Sequence, residues 1–101
     1  KLTDGNKLAS NFIIEVELLG WSSITSKDIK LIREFLEATY YFDYSTNIKT
    51  LAITLRQKYN LKLADAFIAA TALEYDLILV SADKVFAKVK ELQFFYFTPS
   101  L

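Results

Sequence analysis

Apolar and polar positions alternate in blocks along the chain, and the spacing inside each block predicts an element. Residues 1–9 are mostly polar, with a turn signal at Asp4-Gly5-Asn6, and read as a loop that delivers the chain into structure. The apolar run Phe12-Ile13-Ile14 predicts a buried strand, and residues 15–19 favour a helix that stops at Gly20. Thr25 or Ser26, followed by Asp28, marks a helix start. Ile29, Ile32, Phe35 and Leu36 then recur at helical spacing, which predicts an amphipathic helix over 27–38. Tyr40-Tyr41-Phe42 is aromatic and predicts a strand ending near Asp43. Thr46 or Asn47 caps a second amphipathic helix with Ile48, Leu51, Ala52, Leu55 and Tyr59 on one face, and Asn60 suits its left-handed end.

Residues 64–73 are apolar nearly all round, the pattern of a central, buried helix. The aliphatic run 77–80 has the composition of a strand that a parallel sheet buries on both faces. Residues 84–90 predict a short helix with Val85, Phe86 and Val89 inward, and 94–97 a last strand ended by Pro99. Strands alternating with helices imply an α/β layer fold with a mainly parallel sheet.

At 101 residues the chain is one domain, long enough for a core without disulfides or structural metal. Twelve basic residues balance twelve acidic ones, so any nucleic-acid contact must come from local basic patches rather than a global field. The absence of Cys and His excludes a zinc–thiolate site, a cysteine nucleophile, imidazole base chemistry and every Ser-His-Asp arrangement. Catalysis, if present, falls to carboxylates, Lys, Tyr or hydroxyls, with a hard metal held by oxygen ligands. With no long uncharged apolar run and no signal-peptide pattern, the chain reads as soluble and cytoplasmic, without membrane association. It also contains no Met, so a chain beginning at Lys1 reads as a fragment, a processed product or part of a longer protein.

Three acids stand out from the solvated ones. Asp83 follows the aliphatic strand, where open parallel sheets place ligands, although it also suits a cap for the helix that follows. Asp65 opens the apolar helix, where the macrodipole alone would favour it. Glu17 lies just beyond the strand expected at 12–14, and could equally be a solvated helix residue. All three follow elements whose ends meet at one edge of the sheet. Carboxylates gathered there, about 4–8 Å apart, would repel unless a divalent cation such as Mg²⁺ or Mn²⁺ sat between them.

Three segments resemble a known family. Residues 61–72 (LKLADAFIAATA) resemble the LKLPDAIIAATA signature of PIN domains, particularly the VapC-type toxins of bacterial toxin–antitoxin systems. Residues 79–86 (LVSADKVF) resemble that family's LVTADKDF, and residues 12–21 (FIIEVELLGW) its FITELELLGY. The segments occur in family order and span essentially the whole chain.

The resemblance implies a PIN-like three-layer sandwich and a metal-dependent endoribonuclease. By motif, Glu17, Asp65 and Asp83 match three of the family's four acids as catalytic and metal-binding residues, with Glu15 an alternative for the first and Ser81 supporting the site. It further implies an RNA substrate met by Lys84 and Lys62, a cognate antitoxin and a homodimer.

The family's opening strand, of the form LLDTN, and the helix after it have no counterpart here, so the chain reads as N-terminally incomplete and short of one acid. Ala64 stands where the family favours Pro, and Val85 where it often has an acid. Two other classes follow from these departures. One is a catalytically incomplete module that dimerises or binds an antitoxin, using the aromatic segments 40–44 and 94–97. The other is a receiver-like domain, which would need paired acids after its first strand that this chain lacks.

Overall fold

The structure, a computed structural model, describes residues 2–3 and 8–97. Five strands form one sheet in the order β3-β2-β1-β4-β5: β1 (Leu2–Thr3), β2 (Leu8–Asn11), β3 (Tyr40–Phe42), β4 (Ile78–Ser81) and β5 (Gln93–Tyr96). Strands β2 and β3 pair in parallel, as do β4 and β5, while β1 is antiparallel to both of its neighbours, β2 and β4. The sheet is therefore mixed, but four strands share one direction and only the two-residue β1 is inverted. Helices α1 (Phe12–Leu19), α2 (Ser26–Glu37), α3 (Thr46–Tyr59) and α4 (Leu63–Glu74) make the connections, and a 3₁₀ turn (Lys84–Lys88) links β4 to β5. The α/β architecture expected from the alternation of elements is present. Among the described residues, no helix is long and apolar enough to cross a membrane.

Two expectations are corrected near the N-terminus. Part of the segment read as a loop is sheet: Leu2 is fully buried between Ala9 and Leu79, its partners in β2 and β4. The Asp4-Gly5-Asn6 turn lies outside the described residues, as does Pro99. The run Phe12-Ile13-Ile14 is the first turn of α1 rather than a strand. Isoleucine favours strands locally, but that preference is weak and is overridden here by a cap and a packing contact. The Asn11 side chain accepts from the Ile14 N–H at 2.9 Å, and the Phe12 ring packs edge-on against Phe67 with centroids 5.3 Å apart. Gly20 ends this helix, where a Cβ would sit 2.5 Å from the Val16 carbonyl oxygen.

The later helices follow their sequence signals closely. Thr25 and Asp28 form a reciprocal capping box at the start of α2, each bond 3.1 Å long. Helix α3 is capped by Ser45, one residue before the expected Thr46 or Asn47, because the Ser45 hydroxyl is the one that reaches the Ile48 N–H. It ends at Asn60 in the left-handed conformation, φ 55°. Helix α4 buries Ala66, Ala69, Ala70, Thr71 and Ala72, and its small side chains let α3 pack closely through Ile48, Ala52 and Leu55. The short helix expected over 84–90 is the tighter 3₁₀ turn, with Phe86 and Val89 buried.

Buried polar groups are paired. Asn11 Nδ2 donates to Thr71 Oγ1 at 2.8 Å, and Thr71 in turn donates to the Phe67 carbonyl. Thr39 donates to the Leu36 carbonyl at 2.7 Å, so Ser10 is the donor in its 2.6 Å bond to Thr39. These bonds tie the end of β2 to α4 and to the start of β3.

Candidate active site

Since β2, β3, β4 and β5 run the same way, their carboxyl ends share one edge of the sheet, and α4, which descends towards β4, presents its N-terminus there. Ser81 is the last residue of β4. Its hydroxyl accepts from the Asp83 N–H at 3.0 Å, and Asp83 Oδ1 accepts from the Val85 N–H at 3.0 Å. Asp83 thus caps the 3₁₀ turn with one oxygen and lines the neighbouring cavity, so its two readings hold together.

Asp65, in the first turn of α4, lines the same cavity, as does Ser81. This cavity measures about 340 Å³ and is otherwise mostly apolar, with Ile14 and Leu18 from α1, Phe35 from α2 and Phe86 from the 3₁₀ turn on its walls. Burial pushes the Asp65 carboxyl above its ordinary pKa, and the charge of Asp83 pushes it further; Lys62 and Lys88 pull the other way and are outweighed. Asp65 is thus partly withdrawn from water and lines one cavity with Asp83, with Lys62 and Lys88 as the positive charges that reach it.

The structure does not bring Glu17 to this pair. Glu17 is exposed and lines a different cavity, with Trp21, Asp28, Leu31 and Ile32. Glu15 is also elsewhere: it accepts from the Tyr41 hydroxyl and forms an ion pair with Arg33 at 3.8 Å. The slip from strand to helix explains both positions. At 3.6 residues per turn, Ile14 and Leu18 face the cavity together and the two glutamates lie about 80° to either side of that stripe. Among the described residues, no group of three or more acids is placed to hold a metal ion.

The residues present still suit a hard cation. Two carboxylates and a hydroxyl lining one cavity are an all-oxygen donor set of the kind a hard cation takes. The set fits an ion that keeps most of its waters, as Mg²⁺ does, and not a closed protein cage. Lys88 is a cation that sequence reading did not single out; its signal was its position one turn after Lys84, across from the Asp65 helix. The apolar wall was also missed, although Ile14 and Leu18 are four residues apart, the spacing of one helix face.

Fold and site together define an α/β domain with a carboxylate pair and a hydroxyl at the carboxyl edge of its co-directional strands. The family model for the PIN domain matches residues 5–92, and the chain belongs to that family. PIN domains are in general dependent on a divalent metal. Among solved structures, the chain is similar to one in a toxin–antitoxin complex from Klebsiella pneumoniae, with a TM-score of 0.70 and 28% identity, over 81% of this chain and 68% of that one. The search of curated proteins finds no match.

Proposed function

We propose that this chain is a metal-dependent endoribonuclease, the toxin of a toxin–antitoxin pair, acting in the cytoplasm as a single PIN-like domain. The observation that carries this reading is the convergence of Asp65, Asp83 and Ser81 on one cavity, with the Asp65 pKa raised in part by Asp83. Asp65 and Asp83 would hold Mg²⁺ or Mn²⁺, directly or through water. When bound, such an ion activates water and offsets the charge that develops on a phosphate. The Val85 N–H fixes one oxygen of Asp83, and the Ser81 hydroxyl holds the Asp83 backbone, so the carboxylate is oriented before substrate arrives. Lys62 and Lys88, whose charges already reach Asp65, would meet the flanking phosphates. Glu17, the third acid of the family pattern, would join after α1 rolls by about 80°.

The test is cleavage of a structured RNA with and without EDTA. Cleavage should require Mg²⁺ or Mn²⁺, and Asp65→Asn should lower it by more than the roughly 10- to 100-fold typical of losing an outer-shell partner. Cleavage that resists EDTA, or that ignores Asp65→Asn, overturns the reading.

A second reading, a binding module without catalysis, is favoured by the same α1. That helix has no fully buried residue, and Val16 (65% exposed) and Trp21 just beyond it (60%) offer an apolar surface. The similarity to a protein found in a toxin–antitoxin complex supports an antitoxin as the partner for such a surface; a second copy of this chain is the alternative. Antitoxin binding by a chain that cleaves no RNA under any metal would select this reading.

A further inference from the structure

We propose that Tyr96 and Lys84 form a nucleotide subsite beside the acid pair, with the Tyr96 ring stacking on a base of single-stranded RNA and Lys84 meeting that nucleotide's phosphate. The inference rests on the ribonuclease reading and deepens it. Strand β5 is parallel to β4 with Tyr96 opposite Ser81, and the Phe97 N–H donates to the Ser81 carbonyl at 3.2 Å. The aromatic end of β5 is thereby fixed next to a residue that lines the acidic cavity. Side chains alternate along a strand, so Tyr96 shares a face with Phe94, which packs on Phe86, itself a wall of that cavity. Phe94 is partly buried in this contact, whereas Tyr96 two residues on remains 40% exposed. Lys84 Nζ lies 5.4 Å from the centre of the Tyr96 ring, and Lys84 directly follows Asp83 in the chain.

A flat ring paired across the sheet with Ser81, and a cation that touches the ring and adjoins Asp83 in the chain, supply partners for a base and a phosphate next to the acidic cavity. Each part has its chemical partner. Any base can stack on the ring, because every base has a π-face, and the ammonium is a point charge for phosphate. The competing occupant of an exposed aromatic strand at a sheet edge is the same strand of a second copy. The Lys84 ammonium against the Tyr96 ring, in a residue next to Asp83, favours the polyanion, since a second copy's strand would bring no charge to meet it.

The test measures binding of a short fluorescein-labelled single-stranded RNA by the full chain carrying Asp65→Asn, which removes turnover. Tyr96→Leu should weaken binding by about 5- to 100-fold, and Tyr96→Phe, which keeps the ring, should restore it. Lys84→Gln should lower the slope of log affinity against log salt by about 0.7, the value for one phosphate contact on a single strand. Replacing one nucleotide in turn by an abasic residue should locate a position where the loss and that of Tyr96→Leu do not add. Equal binding by Tyr96→Leu, or full additivity at every position, overturns the subsite while leaving metal-dependent cleavage by the unmodified chain to support the nuclease. A Tyr96→Leu chain that loses self-association but binds RNA as before assigns the strand to a dimer interface instead. A chain that neither binds nor cleaves RNA overturns both readings.

Discussion

Asp65 and Glu17 are both acids on short helices near the carboxyl edge of the sheet, yet the structure treats them differently. Asp65 stands on α4, four of whose alanines are buried against α3 and the sheet. Its direction is set by close packing on several sides, and a roll of the helix would break that packing. Glu17 stands on α1, which has no fully buried residue and is anchored at its ends, by the Asn11 cap and the turn at Gly20. A charged side chain is only as well aimed as the helix that carries it. Asp65 belongs to the packed half of the molecule, and Glu17 to the loosely held half.

The largest expected effect breaks or confirms this contrast directly. In the RNA cleavage assay, Asp65→Asn and Asp83→Asn should each be severely impaired, while Glu15→Gln, paired with Tyr41 and Arg33 away from the cavity, should stay within about twofold of the unmodified chain, the range of a surface charge pair. Glu17→Gln decides the role of α1. A loss as large as that of Asp65→Asn would mean that the helix rolls towards the pair when substrate and metal bind.

Stability should divide along the same line. Leu55→Ala, in the α3–α4 contact, should cost about 2–5 kcal/mol in chemical denaturation, whereas Val16→Ala on exposed α1 should cost within about 0.5 kcal/mol. Asn11→Ala should fall between them. It removes the α1 cap, worth about 0.5–2 kcal/mol, and also deprives Thr71 of a buried donor. If Asn11→Ala costs no more than Val16→Ala, α1 is held by something other than its cap.

The smallest effect is a titration. Partial burial, the hydrogen bond from the Tyr41 hydroxyl to Glu15 and the charge of Glu15 push the Tyr41 pKa from 10.0 up to about 12. The folded chain keeps this proton where the unfolded chain has lost it. The associated stability is complete below pH 10 and is lost as pH rises through 12. Ultraviolet absorbance should show a late-titrating tyrosine that disappears in Tyr41→Phe and moves to lower pH in Glu15→Gln. No such change in Glu15→Gln would mean that α1 and β3 are not in contact through this pair.

Sequence legibility follows the range of the forces involved. The capping box of α2, the left-handed Asn60 and the apolar α4 were readable because each depends on residues a few positions apart. Residues 2–3 and 8–14 were misread because their decisive contacts are distant. Asn11 bonds Thr71, sixty positions away, and Leu2 is a strand residue only because β2 and β4 lie on either side of it. At the site, Asp65, Asp83 and Ser81 follow helices and strands whose type was predicted, and they share a cavity. Glu17 was placed relative to a strand that is a helix, and a slip between a two-residue period and 3.6 redirects every side chain after it. The motif resemblance carries the identity of that acid but not its direction.

The two-residue β1 has a consequence for the order in which the chain assembles. It is the only seam in the described sheet between β2–β3 and β4–β5, each of which is a locally connected parallel pair. Closing that seam brings Leu2 to Leu79, near opposite ends of the chain, and the entropy of so large a loop must be spent before two residues of pairing offset it. The seam should therefore form late and open first. In native-state hydrogen exchange it would mark a fault line, with the β2–β3 side and the β4–β5 side protected as separate cooperative blocks. The cavity of the acid pair straddles that line, with Leu8, Ala9 and Ile14 on one side and Leu79, Ser81 and Asp83 on the other, so a parting of the sheet would dismantle the site.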